Sequence, residues 1–265
     1  MKRAINIMLA LTLAAICLSV CARAAMRICD TAGIIALFRT DEADEMKGSR
    51  EIVTHNLGEL QFHGIDASAA ASVTVRSARD QNRDVILRVN ENLAEHVEMN
   101  VQGGILKIGL KRGFKGFSRF GNVTFEVSVP HPDELASLAA TGAAQIELTS
   151  PLTAAKVELE ATGASKIFAP IECAVCRADA SGASKIILTG HCTKLEAGAS
   201  GASKIDAEQC ESINCAAEAV GASKVTVWCT GALSADAVGA SKVGYKGECA
   251  TRLSSVGASS VKKMD

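Results

Sequence analysis

One short pattern recurs through the second half of the chain and constrains its fold more than any other feature. The residues Gly-Ala-Ser-Lys, followed by Ile or Val, occur five times, and degenerate copies precede and follow them. The repeat glycines are Gly142, Gly163, Gly182, Gly201, Gly221, Gly239 and Gly257. They are separated by 21, 19, 19, 20, 18 and 18 residues. A near-constant period predicts a chain built from equivalent units that stack along one axis.

The period indicates which kind of unit is stacked. A repeat of about 19 residues is too short for helix-pair repeats, which need at least about 33, and the Leu/Asn pattern of leucine-rich repeats is absent. The residue after each lysine position is always Ile or Val, and β-branched residues favour strands. We therefore predict an all-β solenoid, a parallel β-helix with one coil per repeat. Gly-Ala-Ser would form the corner of each coil, because glycine adopts bent conformations and Ala and Ser crowd little.

Composition agrees with a narrow, repeated interior. Hydrophobic residues make up 48% of the chain, but aromatic residues make up only 3%. The core must therefore be built from Ala, Val, Ile, Leu and Cys. The formal net charge of -1 provides no basic surface of the kind that nucleic acids require, so nucleic-acid binding is not expected.

The N-terminus predicts an exported protein. Lys2 and Arg3 precede an apolar run, and a small-x-small site ends at Ala24, so residues 1–24 are predicted to be a signal peptide. The alternative is a lipid anchor at Cys21, although Val20 fits the attachment motif poorly. That anchor would be the protein's one connection to a membrane.

The mature chain divides into three predicted segments. Residues 25–49 are charged and mixed in pattern, and we expect them to be loosely ordered. Residues 50–132 contain several alternating strand patterns and are predicted to form a β-rich section that caps the first coil. Residues 133–265 hold the regular coils.

Several segments resemble a known family, the putative auto-transporter adhesin, head GIN domain proteins of bacterial cell envelopes. The resemblance is carried by residues 62–65, 73–75, 92–93, 101–108 and 123–130, and by the repeated Gly-Ala-Ser-Lys turns. It covers roughly residues 52–262. It implies a right-handed, single-stranded parallel β-helix and an adhesin-like protein in the periplasm, in the outer membrane or on the cell surface of a bacterium. The family offers no catalytic residues to transfer to this chain.

The repeat lysines and serines are the candidate ligand-binding residues. They are Lys166, Lys185, Lys204, Lys224 and Lys242, with Ser165, Ser184, Ser203, Ser223 and Ser241. Coils stacked about 4.8 Å apart would align the lysines in one outer column. Like charges at this spacing repel by about 1 kcal/mol per pair in water.

Two interpretations of the lysine column are open. Acidic residues recur three positions before four of the glycines, at Glu160, Asp179, Glu218 and Asp236, and a neighbouring acidic column would neutralise the lysines. Alternatively, the lysines form a strip that binds acidic glycans or lipopolysaccharide phosphates, with the serine hydroxyls adding hydrogen bonds.

A cysteine series follows the same period. Cys173, Cys192, Cys210, Cys229 and Cys249 are 19, 18, 19 and 20 residues apart, which predicts equivalent positions on successive coils. They would form either a buried ladder of small side chains or disulfides between coils. The pair Cys173 and Cys176 near His191 is a weak zinc signal without a second pair, so no metal or cofactor is predicted.

No catalytic motif is evident, because the five histidines are unpaired and the repeat acids follow the period rather than break it. We therefore expect a non-catalytic cell-envelope protein, adhesin-like or structural. It would present its Ser/Lys face to an anionic glycan or a cell-surface protein. The alternatives are a β-helical polysaccharide lyase or hydrolase, and a protein that assembles end to end.

Overall fold

The computed structural model describes residues 49–114, 123–132 and 134–264. The predicted signal peptide and nearly all of segment 25–49 lie outside the described residues. Within the described ranges, no helix is long and apolar enough to cross a bilayer.

The described chain is all-β, and its seventeen strands form one continuous hydrogen-bonded sheet. The N-terminal strands are β1 (Ile52–Glu59), β2 (Gly64–Ala67), β3 (Ser72–Val75), β4 (Asp84–Asn90), β5 (Val97–Gln102), β6 (Ile105–Leu110) and β7 (Phe125–Val129), with one helical turn, α1 (Glu91–Ala94), between β4 and β5. The coil strands are β8 (Ser137–Gly142), β9 (Gln145–Leu148), β10 (Leu152–Gly163), β11 (Lys166–Gly182), β12 (Lys185–Gly201), β13 (Lys204–Gly221), β14 (Lys224–Gly239), β15 (Lys242–Lys246), β16 (Ala250–Gly257) and β17 (Ser260–Lys263).

Residues one repeat apart are direct neighbours in space, which confirms the β-solenoid prediction. The strands from β8 onward pair in parallel, coil upon coil. Each of β11 to β14 begins at a repeat lysine and ends at the next repeat glycine, so that one strand makes most of one coil. Equivalent residues therefore form columns that run along the axis.

The interior is filled by small aliphatic side chains, as the composition predicts. The β-branched residue after each lysine is buried in the five complete copies of the repeat: Ile167, Ile186, Ile205, Val225 and Val243. Further along each strand, alanines such as Ala178, Ala197, Ala217 and Ala235 are also buried. Side chains alternate between the interior and the surface along each strand, so every coil buries its apolar half against its neighbours.

The N-terminal section extends the solenoid and then covers it. Strand β2 pairs in parallel with both β6 and β8, and β3 pairs in parallel with both β7 and β9. The coil formed by β2 and β3 therefore lies between the coil of β6 and β7 and the coil of β8 and β9, although both of these follow it in the chain. Antiparallel strands β5 and β4 cover the outer edges of β6 and β7, and β1 pairs with β4. This arrangement confirms the capping role predicted for the section.

The corner of each coil depends on glycine. All seven repeat glycines have positive φ, between 75° and 88°. A Cβ on Gly201 would lie 2.9 Å from the carbonyl oxygen of Gly182 in the preceding coil. The amide of Ala202 donates to that same oxygen at 2.7 Å, and the amide of Lys204 donates to Ser184 O at 2.9 Å. The corner thus requires a left-handed conformation and a backbone approach that leaves no room for a side chain.

The repeat serines face inward, which corrects their predicted place on the outer surface. Their side chains are buried, and each hydroxyl donates to the carbonyl of the alanine that lies two residues before the glycine of the preceding coil. The pairs are Ser165–Ala140, Ser184–Ala161, Ser203–Ala180, Ser223–Ala199 and Ser241–Ala219, at 2.8 to 3.0 Å. Serine places a small donor where the corner brings the chain back over this carbonyl, so these hydroxyls stabilise the coil and are not exposed to a ligand.

The substitution Gly201→Ala should lower the free energy of unfolding by about 1–3 kcal/mol, because alanine disfavours positive φ. The added methyl also meets backbone that cannot move without breaking the stack. Urea unfolding measures the loss. Gly198→Ala, in the same coil, is the matched control, since its Cβ would meet only the flexible carboxylate of Asp179. An equal loss in both variants would contradict the corner argument.

Removing one inward hydroxyl should have a smaller effect. Ser203→Ala deletes a buried group that hydrogen-bonds to Ala180 O and Ser200 O, and should cost about 1 kcal/mol. Ser200→Ala, where the side chain is exposed, should change stability by less than about 0.5 kcal/mol. If the unfolding midpoints of the two variants agree within experimental error, the Ser203 hydroxyl is dispensable.

Candidate functional site

The five repeat lysines form a single column on the surface. Each is the direct pairing partner of the next: Lys166, Lys185, Lys204, Lys224 and Lys242. Gln145 and Ser260 continue the column at its ends without charge. The first strand segment after the Gly-Ala-Ser corner positions every lysine, because the inward Ile or Val that follows it turns the lysine outward. We call these five residues the lysine column.

Within the part of the chain that the structure describes, ion pairing in the lysine column is confined to Lys204. Its Nζ lies 2.6 Å from Oδ2 of Asp206, two residues further along the strand. Partial burial acts to raise the pKa of Asp206, but hydrogen bonds from Lys204 and Thr226 and the charge of Lys204 outweigh it, and the pKa is lowered. The other four lysines take part in no ion pair among the described residues.

The acidic column exists but lies on the other side of the corner. Glu160, Asp179, Glu218 and Asp236 are in register, with Gly198 in the middle coil. Their strand segment ends at the glycine, whereas the lysine segment begins after it. No described ion pair joins the two columns.

Cations nearer the acidic column pair with acids on their own side of the corner. Arg177 binds Asp179 at 2.7 Å, Lys156 binds Glu158 at 2.5 Å and Lys194 binds Glu196 at 2.6 Å. The lysine hydrogen bonds lower the pKa of Glu158 and of Glu196. Within the acidic column, Asp179 is paired in this way, whereas Glu160, Glu218 and Asp236 take part in no described ion pair.

Apolar side chains accompany the first part of the lysine column. Phe168 and Ile187 are pairing partners in the outward position two residues after Lys166 and Lys185, and both are half-buried. A shallow groove of about 260 Å³ is lined by these four residues together with Gln145, Glu147 and residues of β3. This end of the column therefore offers two ammonium groups beside a small apolar surface, a feature that the charge pattern did not predict. In the sequence, this apolar surface is indicated by Phe168, a large apolar residue at an outward strand position.

The cysteine series does not form one regular ladder. Cys173 and Cys192 are pairing partners, but Cys192 and Cys229 both pair with Ser212. Cys210 pairs with Gly190, so its predicted equivalence is wrong. The coil from Gly201 to Gly221 is one residue longer than the coil before it, and the pairing register shifts between Ile187 and Thr189. Cys249 lies in the link between β15 and β16.

All seven described cysteines are free thiols. Cys176, Cys192, Cys210, Cys215 and Cys229 are buried, whereas Cys173 and Cys249 are partly exposed. In the described ranges, no group of three or more His, Cys, Asp or Glu side chains is arranged to hold a metal ion.

Comparison with solved structures shows the same fold in proteins of low sequence identity. A putative adhesin from Bacteroides fragilis is 17% identical, with a TM-score of 0.72 over 83% of this chain and 100% of that one. A putative lipid binding protein from Parabacteroides distasonis is 19% identical, with a TM-score of 0.68 over 83% and 100%. A putative adhesin from Parabacteroides merdae is 19% identical, with a TM-score of 0.64 over 84% and 100%. A search of curated protein sequences finds no match.

The family to which the chain belongs follows from its sequence profile. Residues 61–249 match the model of one family, and that match spans most of the N-terminal section and nearly all of the coils. The resemblance noted in the sequence is thereby confirmed. The chain belongs to the family described as "Putative auto-transporter adhesin, head GIN domain".

Proposed function

We propose that this chain is a non-catalytic, exported binding protein of the bacterial cell envelope, and that its lysine column binds an acidic glycan. The observation that carries the proposal is the alignment of five lysines along one line of the surface, four of them without an ion-pair partner among the residues that the structure describes. A row of fixed positive charges is complementary to a linear polymer with regularly spaced negative charges.

The energetics favour binding at many points over binding at one. Each exposed lysine–carboxylate contact is worth only about 0.2–1 kcal/mol. Contacts on one rigid column add along the same polymer chain, because the first contact raises the effective concentration of the next. Binding would also relieve the repulsion between neighbouring lysines, which the acidic column does not neutralise through ion pairs.

Export and the lack of catalysis are supported by separate observations. The charged start, apolar run and small-x-small site of residues 1–24 have the composition of a signal peptide. The family description, adhesin, is that of a surface protein. The acids of the acidic column follow the repeat, whereas a catalytic pair of acids would need a geometry that one coil does not share with the next.

A lipid-like anion is the second candidate ligand, and one observation favours it. Phe168 and Ile187 place apolar surface beside Lys166 and Lys185, so an acidic headgroup and the start of an acyl chain would both find partners there. The related fold of a putative lipid binding protein is consistent with this alternative. A glycan would use lysines along the whole column, whereas a lipid would depend mainly on the first two coils.

The test compares two double variants that remove the same charge from different sides of the corner. Lys166→Gln with Lys185→Gln should weaken binding to an acidic polysaccharide such as alginate on the order of fivefold. Lys156→Gln with Lys194→Gln, whose lysines are already paired with Glu158 and Glu196, should leave binding nearly unchanged. Titration at low and high salt measures both, and high salt should weaken the wild-type interaction.

The same protein set separates the two ligands. Lys224→Gln with Lys242→Gln should weaken alginate binding as much as the first pair does, because a glycan spans the column. Retained alginate binding in both column variants would refute the proposal. The lipid would instead be favoured if the protein binds vesicles that contain an anionic phospholipid, and if this binding is lost in Lys166→Gln with Lys185→Gln but kept in Lys224→Gln with Lys242→Gln.

A further inference from the structure

Thiols collect along one inner edge of the solenoid, away from the lysine column. Midway through β12, two outward residues, Thr193 and Lys194, separate the inward Cys192 and Leu195, which marks a second bend. Cys173 and Cys176 flank this bend in one coil. In the following coil the same positions are held by Cys192 and Leu195. We call Cys173, Cys176, Cys192 and Cys210 the thiol cluster.

The cluster has one accessible member surrounded by buried ones. Cys173 is partly exposed, while the other three are buried. The thiols of Cys176 and Cys192 lie close enough to Cys173 to affect its pKa, and Cys210 acts in the same way on Cys192. As in-register neighbours on parallel strands, Cys173 and Cys192 have Cα atoms about 4.8 Å apart. This separation lies within the range of about 4.4–6.8 Å that disulfides span.

The surroundings of Cys173 stabilise its thiolate. Hydrogen bonds from Cys176 and Cys192 lower the pKa of Cys173, partial burial opposes this shift, and the charge of His191 adds to it. The other ionisable groups nearby include Glu172, which precedes Cys173 and is the register partner of His191, Glu211, the register partner of His191 in the next coil, and Cys210 in the interior. Donation to Cys173 raises the pKa of Cys176 and of Cys192, so the negative charge settles on the exposed sulfur.

A second thiol serves as an internal reference. Cys249 is also partly exposed, but burial and the neighbouring thiol of Cys229 raise its pKa. If exposure alone governed reactivity, Cys249 and Cys173 would react alike. The hydrogen-bonded cluster distinguishes them, because the thiolate is the nucleophile.

We propose that Cys173 is a nucleophilic, redox-active thiol that reacts with small-molecule disulfides, with Cys176 and Cys192 as resolving thiols. In the first step, the Cys173 thiolate attacks one sulfur of the reagent and forms a mixed disulfide, and the other half leaves as a thiolate and takes up a proton. In the second step, Cys176 or Cys192 loses its proton to solvent and attacks the Cys173 sulfur. A protein disulfide forms, the second half of the reagent leaves as a thiol, and the reagent has been reduced by two electrons.

Alkylation with iodoacetamide followed by peptide mass spectrometry tests the nucleophile on the folded protein. At pH 6, Cys173 should be modified at least about tenfold faster than Cys249, because an ordinary cysteine is almost wholly protonated there. Between pH 6 and pH 8 the rate at Cys173 should change little, whereas the rate at Cys249 should rise steeply. Equal rates at pH 6, or faster modification of Cys249, would overturn the proposal.

Two variants separate hydrogen bonding from packing. Cys192→Ala removes a donor, so the alkylation of Cys173 at pH 6 should slow and its pH profile should move upward. Cys192→Ser keeps a donor of similar size and should retain most of the rate. Circular dichroism checks that both variants are folded. Identical pH profiles in the wild type and Cys192→Ala would show that Cys192 does not act on Cys173.

Oxidised glutathione tests the second step. Incubation should give a protein disulfide that links Cys173 to Cys176 or to Cys192, with a transient glutathione adduct on Cys173. Cys173→Ser should give neither product. Adducts found at Cys249 and absent from Cys173 would refute the assignment, whatever the lysine variants show in glycan binding.

Discussion

The stacked glycine corner is the contact on which the rest of the structure depends. At each corner a glycine with positive φ places its carbonyl oxygen where the amide of the alanine in the next coil can reach it, at 2.6 to 2.8 Å in the complete copies of the repeat. The same approach brings that oxygen within 3.0 Å of where the next glycine would carry a Cβ. Hydrogen bonding and steric exclusion therefore require glycine at the same point of every coil. Once the corners are aligned, every neighbouring position is aligned as well.

Alignment explains how one short repeat provides both stability and surface chemistry. The serine lies inside, where its hydroxyl satisfies a carbonyl of the coil before it, and the next residue, lysine, lies outside. The β-branched residue after it returns to the core. The alternation leaves the lysines at the spacing of the coils, and their mutual repulsion is the cost of this repetition. A ligand of opposite charge would remove that cost, whereas a neutral partner would not.

The fold is most predictable from the sequence where the chain repeats. The coils, their period, the inward Ile and Val, and the two charge columns all follow from residues that recur at one spacing. The fold is least predictable where the order of strands along the solenoid axis differs from their order along the chain. Strands β2 and β3 lie between β6–β7 and β8–β9, and no local pattern indicates that a segment will be inserted between two later ones. The repeat serines are equally compatible with an outward hydroxyl that binds a ligand and with a buried donor, so the sequence alone does not decide where they lie.

The cysteines show why spacing alone is insufficient when coil lengths vary. The coil from Gly201 to Gly221 has one residue more than its predecessor, yet its glycine and lysine stay in register with those of the next coil. The corner has no space for an extra residue, so the register shifts elsewhere, around Cys210 and the second bend. The half of the coil next to the corner therefore repeats faithfully and carries the repeated charges. The other half of the coil tolerates changes in length. Side chains that do not recur in every coil, such as those of the thiol cluster around Cys173, lie in this half.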